Sequence, residues 1–430
     1  MQRTLIAAAL LVTAASLAAQ EKPQAFTGAT IIPIAGAPIE NGTLVVEKGK
    51  IVAVGANVAI PKNAERHDVT GKVLMPGLVD THSHIGKVSG ADSSGPIQPD
   101  VRALDSIDAR DASIQRAQAG GITTANIMPG SGYLLSGQTL YVKLRDGQTI
   151  DDIAIRNADG SYAGGMKMAN GSNPMREAPF PETRSKSAAL VREQFVKAQE
   201  YRKKLREAKT PADRPARDLA MEGLVDVLDG KRVVHWHTHR HDDIATALRI
   251  SQEFGFKVVL QHATEAGKLA DEIAKAGVPC SIIFVDSPGG KLETMDLTWK
   301  YGAILEKAGV LVAFHTDDPI TDSRWLMRAA GLGVRAGMSR KVALEALTIN
   351  GAKMLGLDRS VGSLEPGKDA DFIVLSGDPL SVYTHVLETW VEGTRVFDRS
   401  DPADRLRAVG GLGAGESRQA HSELELEGAN

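Results

Sequence analysis

Met75-Pro76-Gly77-Leu78-Val79-Asp80-Thr81-His82-Ser83-His84 is where the character of the chain changes. The segment reads as an apolar strand ending in His-x-His, and the period-two alternation of a strand places both imidazoles on one face. Before it, from Ala25 to Met75, short apolar runs are broken by turn residues. Thr30-Ile31-Ile32, Gly42 to Val46 and Lys50 to Gly55 read as small antiparallel strands, with a hairpin turn at Glu47-Lys48-Gly49-Lys50. After it, from Gly77 to Leu355, strand-like runs (Gly121 to Met128, Arg232 to His239, Lys257 to His262, Val310 to His315) alternate with amphipathic stretches such as Ile244 to Phe254, Lys268 to Ala276 and Arg340 to Leu347. Strands alternating with helices imply parallel βα units, and this many predict a (β/α)8 TIM-like barrel over residues 77–355. Past Gly356 the short-strand pattern returns, with Ala370 to Leu375 as a strand. Residues 20–76 and 356–400 together are expected to build one small β-sandwich domain from both flanks, and 401–430 a flexible tail.

The barrel expectation gives the histidines a place. Of the 11 in the chain, eight sit at the ends of predicted strands: His82 and His84, then His235, His237, His239 and His241, then His262, then His315. The C-terminal ends of barrel strands are where such folds keep their chemistry. Asp317 follows His315 at the same strand end. Neutral imidazoles with a carboxylate suit a borderline divalent ion such as zinc. A metal can use only one or two of the 235–241 run, and His235 and His241 are read as packing or surface groups.

Composition narrows the remaining classes. The chain of 430 residues is 43% hydrophobic and 24% charged, an ordinary globular balance with ample material for a large core. A net charge of −3 supplies no basic field, so no nucleic acid partner is expected. Cys280 is the one cysteine, which leaves the chemistry to His, carboxylates, Lys or hydroxyls. Arg3, the apolar run Leu5 to Val12 and Ser16-Leu17-Ala18 read as a cleavable export signal over residues 1–19, too short to span a bilayer. The mature protein is therefore expected to be periplasmic or secreted, with no membrane span. The basic stretch 182–217 reads as a solvated helix on the barrel exterior, with a lid or partner surface as the other reading.

Taken together, Met75 to His84, His237-Thr238-His239, His262 in Gln-His-Ala-Thr-Glu, His315-Thr316-Asp317-Asp318-Pro319 and Val361 to Asp371 resemble the metal-dependent amidohydrolase superfamily, in its imidazolonepropionase-like and prolidase-like branch. The resemblance covers roughly residues 25–398. It implies a small-molecule substrate and hydrolysis of a C–N bond in an amide, lactam or N-acyl amino acid. It also implies that His82, His84, His237, His262 and Asp317 hold one or two divalent ions, zinc foremost, and that the protein has a capacity to form homo-oligomers. In many members a carbamylated lysine bridges two metals. Lys167 is the candidate here, since burial in an apolar run favours the neutral amine that reacts with CO2; the alternative is a strand-edge lysine with its ammonium in solvent. Asp317 would take the proton of the attacking water and return it to the leaving nitrogen, while His262 or His239 stabilises the oxyanion.

One position departs from the family. Where related deaminases carry a Glu three residues after the fifth-strand histidine, this chain has Arg240. A guanidinium cannot act as base. It either binds a substrate carboxylate in bidentate fashion, with His239 also touching substrate, or faces outward. Two further readings fit the same residues: a prolidase-like dipeptidase, and a barrel-fold binding protein without turnover.

Overall fold

The computed structural model describes residues 22–88, 90–284 and 291–415. The expected export signal lies outside them. Strands β1 (Gln24–Ile31), β2 (Ile39–Glu47), β3 (Lys50–Gly55), β4 (Glu65–Asp68) and β5 (Val73–Pro76) come from the first flank. They join β15 (Phe372–Leu375), β16 (Val386–Val391) and β17 (Thr394–Asp398) from the second. The result is one eight-stranded sheet in the order β17-β16-β15-β5-β1-β2-β3, with β4 also pairing β1. Hydrogen bonding thus unites the flanks in a single sheet, where a two-sheet sandwich was expected. The strand ladder is tied by β15, which runs antiparallel to β5 and to β16. Its buried face gathers Phe26, Phe372 and Trp390, with ring centroids 4.8 Å apart for the Phe26–Phe372 pair and 5.6 Å for Phe372–Trp390.

Between the flanks lie β6 (Leu78–Ser83), β7 (Ile122–Ile127), β8 (Leu135–Gln138), β9 (Leu140–Lys143), β10 (Met166–Ala169), β11 (Val234–Thr238), β12 (Val258–His262), β13 (Cys280–Ile282) and β14 (Val312–Phe314). They form two arcs, β14-β13-β12-β11-β10-β8 and β6-β7-β9. From β10 to β14 every pairing is parallel, with helices in the connections. The segment 135–143 departs from the expected all-parallel order: β8 is antiparallel to β10, and β9 is antiparallel to β7. The physical reason is local. Pro129-Gly130-Ser131-Gly132 after β7 is a turn with no room for a crossover helix, so the chain doubles back. Each half of this segment belongs to a different arc, and the Thr139 N–H between them donates to the Gly165 carbonyl at 3.0 Å. On the other side β14 packs against β6, and the Asp317 N–H donates to the His82 carbonyl at 2.9 Å.

Gly77 turns the chain from the flank sheet into β6. A Cβ there would stand 2.2 Å from the Thr123 side chain, so only glycine permits this approach. The helix Arg184–Glu207 occupies the basic stretch and buries Val191, Phe195, Ala198 and Tyr201 at helical spacing, while Lys186, Lys197, Lys203, Lys204 and Arg206 are exposed. The tail is not irregular from its start: Asp401 caps a helix Pro402–Val409 that packs against the helix Ala112–Ala119.

A buried ionic cluster joins the two sheet systems. Lys143 of β9 donates to Asp369 at 2.8 Å and to Asp371 at 2.5 Å, and Asp369 also accepts from Lys50. Burial holds the Asp371 carboxyl above its usual range, with the Lys143 ammonium pulling the other way. Lys143→Ala strands these carboxylates, and denaturant unfolding is expected to show a loss of about 3–5 kcal/mol.

Candidate active site

The C-terminal ends of the central strands converge on a histidine-rich cluster. Alternation along β6 turns Asp80, His82 and, just past the strand, His84 to one side. The His82 ring lies 5.2 Å from that of His84, 4.7 Å from His262 and 4.9 Å from His315. His237 lies 4.3 Å from His262, and His239 lies 4.6 Å from His237. Two donor groups are compact enough to hold an ion: His82, His84 and Asp317, and His82, His262 and His315.

His84 decides the character of the first group. Its Nδ1–H donates to the Met128 carbonyl at 2.7 Å, which leaves Nε2 facing Asp317 Oδ1 at 2.9 Å. His82 Nε2 approaches the same oxygen at 3.2 Å. A positive centre shared between these atoms, a proton or a metal ion, accounts for the approach. Burial pushes His82, His237 and His262 well below the usual imidazole range and His239 and His315 to about 3, so these rings are neutral. Burial opposes ionisation of Asp317, but the adjacent His84, His262 and Lys167 outweigh that and hold it as the carboxylate. Among the described residues, His82 Nδ1, His237 Nδ1 and His262 Nε2 are buried without a hydrogen-bond partner. The donor set fits a divalent ion.

Lys167 is fully buried, which excludes the solvent-facing reading. Its Nζ lies 2.9 Å from His82 Nε2 and 3.1 Å from Met128 Sδ. Burial pushes its pKa down to about 7, with the Asp317 charge opposing. Two strand-end residues pay for their aim with backbone strain: His262 and Asp317 adopt φ of 64° and 52°, left-handed values uncommon outside glycine. The cross-strand Asp317–His82 bond described above fixes the second.

The remaining residues singled out in the sequence lie around or outside these groups, His235, His241 and the outward-facing Arg240 among them. His237 is beside the cluster but in neither compact group, and its Nε2 lies 3.1 Å from Asn173 Nδ2. Arg240 does not reach the cluster. Its guanidinium is held at the solvent edge by Asp242 through bonds of 3.0 and 2.9 Å, because β11 has ended and the next helix begins with that aspartate in its first turn. His235 is a buried packing group between Tyr141 and Gln261, and His241 pairs with Glu265. His315 belongs to the cluster, its Nε2 3.2 Å from His262 Nδ1 and its Nδ1 2.7 Å from Ser281 Oγ. Its position two residues before Asp317 carried that signal. Lys291 and Asn173 also reach the mouth, from loops that no periodicity marks.

A family model described as "Amidohydrolase family" matches residues 73–398. The chain belongs to the amidohydrolase family. It is similar to "Amidohydrolase tasK" from Hapsidospora irregularis, 28% identical over 394 residues. That alignment covers 83% of this chain and 40% of the relative, so the chain spans well under half of that protein's length. It is also similar to the imidazolonepropionase of Cupriavidus taiwanensis, 27% identical over 373 residues, covering 78% of this chain and 84% of the relative. A solved amidohydrolase from Thermotoga maritima superposes with a TM-score of 0.81 at 37% identity, over 87% of this chain and all of that one. A prolidase solved with N-methylphosphonate-L-proline gives a TM-score of 0.56 at 18% identity, over 87% and 99% of the two chains, a likeness of fold alone. Within the family, the sequence similarity of this amidohydrolase extends to imidazolonepropionases. Its neighbours imply a TIM-like barrel with α/β content.

Proposed function

We propose that this amidohydrolase is an exported, metal-dependent enzyme that hydrolyses a C–N bond in an amide, lactam or N-acyl amino acid. In this reading the two strand arcs close into the barrel whose mouth holds the cluster, and the leader at residues 1–19 directs the protein out of the cytoplasm. The observation that carries the reading is the convergence of His84 Nε2 and Asp317 Oδ1 at 2.9 Å while the other His84 nitrogen is committed to a carbonyl. His82, His84 and Asp317 would hold one ion, and a carbamate on Lys167 with His237 and His262 a second. A bound zinc ion supplies an electrophile for the scissile carbonyl and lowers the pKa of water toward neutrality.

The protein's own groups do the rest. Asp317, ionised and a sixth exposed, accepts the proton of the attacking water and delivers it to the leaving nitrogen. His239, buried with its Nδ1 2.8 Å from Thr264 Oγ1, would stabilise the oxyanion. The apolar packing around Lys167 and His82 excludes bulk water and sharpens these interactions.

Purified protein is expected to carry divalent metal by elemental analysis and to hydrolyse members of a panel of lactams, N-acyl amino acids and dipeptides. Chelation should remove that activity and added zinc restore it. Full activity in metal-free protein would exclude the reading.

A further inference from the structure

We propose that Lys291, together with Asn173, forms a carboxylate-binding subsite at the mouth of the cluster, so that the preferred substrates are amides bearing a free carboxylate beside the scissile bond. The inference rests on the hydrolase reading above and specifies its substrate class. The half-buried Lys291 ammonium has Asn173 Oδ1 at 2.8 Å and His239 Nε2 at 3.5 Å. Among the described residues, no carboxylate comes within ion-pair distance of it. The other cations discussed around this end of the fold are engaged: Arg184 by Asp243 and Glu293, Arg240 by Asp242, Lys268 by Glu265 and Asp296. An ammonium has three donor hydrogens, and here one is well used. Burial also lowers the Lys291 pKa, with the more distant Glu293 and Asp317 charges opposing, which marks a charge short of compensation.

The position is built rather than incidental. Glu293, buried two residues further on, accepts from the Ser172 N–H at 2.8 Å, from Ser172 Oγ at 2.7 Å and from Arg184 at 2.5 Å. That clamp fixes the 170–173 loop against the 291–294 segment. Asn173 then spans the two functions of the site, its Oδ1 on Lys291 and its Nδ2 on His237 Nε2 at 3.1 Å. A substrate carboxylate on Lys291 would therefore lie next to the histidines rather than at a remote edge. An ammonium with no carboxylate in ion-pair range among the described residues matches a single negative charge, which favours a carboxylate over a phosphate dianion.

The test uses matched pairs on the full, metal-loaded protein: N-acetyl derivatives of L-alanine, L-proline, L-leucine and L-phenylalanine, each as free acid and as carboxamide. The acids should be preferred about tenfold or more in kcat/KM, the range of a charged hydrogen bond. Lys291→Met should erase that preference, raising KM for the acids far more than for the carboxamides, with Lys291→Arg restoring part of it. Arg240→Ala, outside the site, should keep the preference. Calorimetric titration of the same acids and carboxamides reads binding without turnover. Acids that bind in a Lys291-dependent way without hydrolysis would uphold the subsite while removing the hydrolase reading. Turnover with no acid preferred over its carboxamide, or an equal loss on both in Lys291→Met, would overturn the subsite and leave the hydrolase. If no acid binds more tightly than its carboxamide, the subsite is likewise rejected.

Discussion

Lys167→Ala is expected to abolish turnover and to lower bound metal from about two ions per chain to one or none. The side chain is wholly buried, touches His82 and a methionine sulfur, and has no ion-pair partner within 4.0 Å among the described residues. A pKa near 7 leaves much of the amine neutral and nucleophilic at neutral pH. Converting it to a carbamate replaces a costly buried cation with an anion that two dications would welcome. Metal content by mass spectrometry and rates with added short carboxylates, which should partly restore activity, check the expectation. Unchanged stoichiometry and rate would leave a single-ion site built on His82, His84 and Asp317.

Asp317→Asn should reduce kcat by about three orders of magnitude, the middle of the range for losing a positioned proton-transfer group. The carboxamide fills nearly the same volume and keeps the backbone bond to His82, so a parallel thermal melt should show little change in folding. The amide cannot accept the proton of water, and it presents His84 with a weaker ligand. A variant with wild-type kcat would remove Asp317 from the chemistry.

The parts of the fold legible in the sequence are those in which side-chain period reports backbone geometry. The switch at Gly77 from short broken runs to alternating strands and helices marks where the flank sheet ends and β6 begins. The antiparallel segment 135–143 was not legible, because a turn of Pro129-Gly130-Ser131-Gly132 reads like any loop and strand direction leaves no periodic trace. The cluster residues His82, His84, His262, His315 and Asp317 were visible because each closes an apolar strand. Arg240 misled for the same reason: counting from His237 assumes the strand continues, whereas Asp242 already belongs to a helix and captures the guanidinium. Lys291, Asn173 and Glu293 meet through loops far apart in sequence, and only the three-dimensional clamp around Ser172 and Arg184 assembles them.

The sheet shared by both flanks also sets a timetable for synthesis. Strands β1 to β5 leave the ribosome first, yet the open edge of β5 waits for β15, which is made only after every central strand. Pairing across so long a loop is slow, and the waiting edge can recruit strands from other chains. A chain cut short before Phe372 would keep all the cluster residues and still expose that edge together with Phe26 and Leu74, which the late strand covers. Completion of the second flank is therefore what covers the open edge of the first.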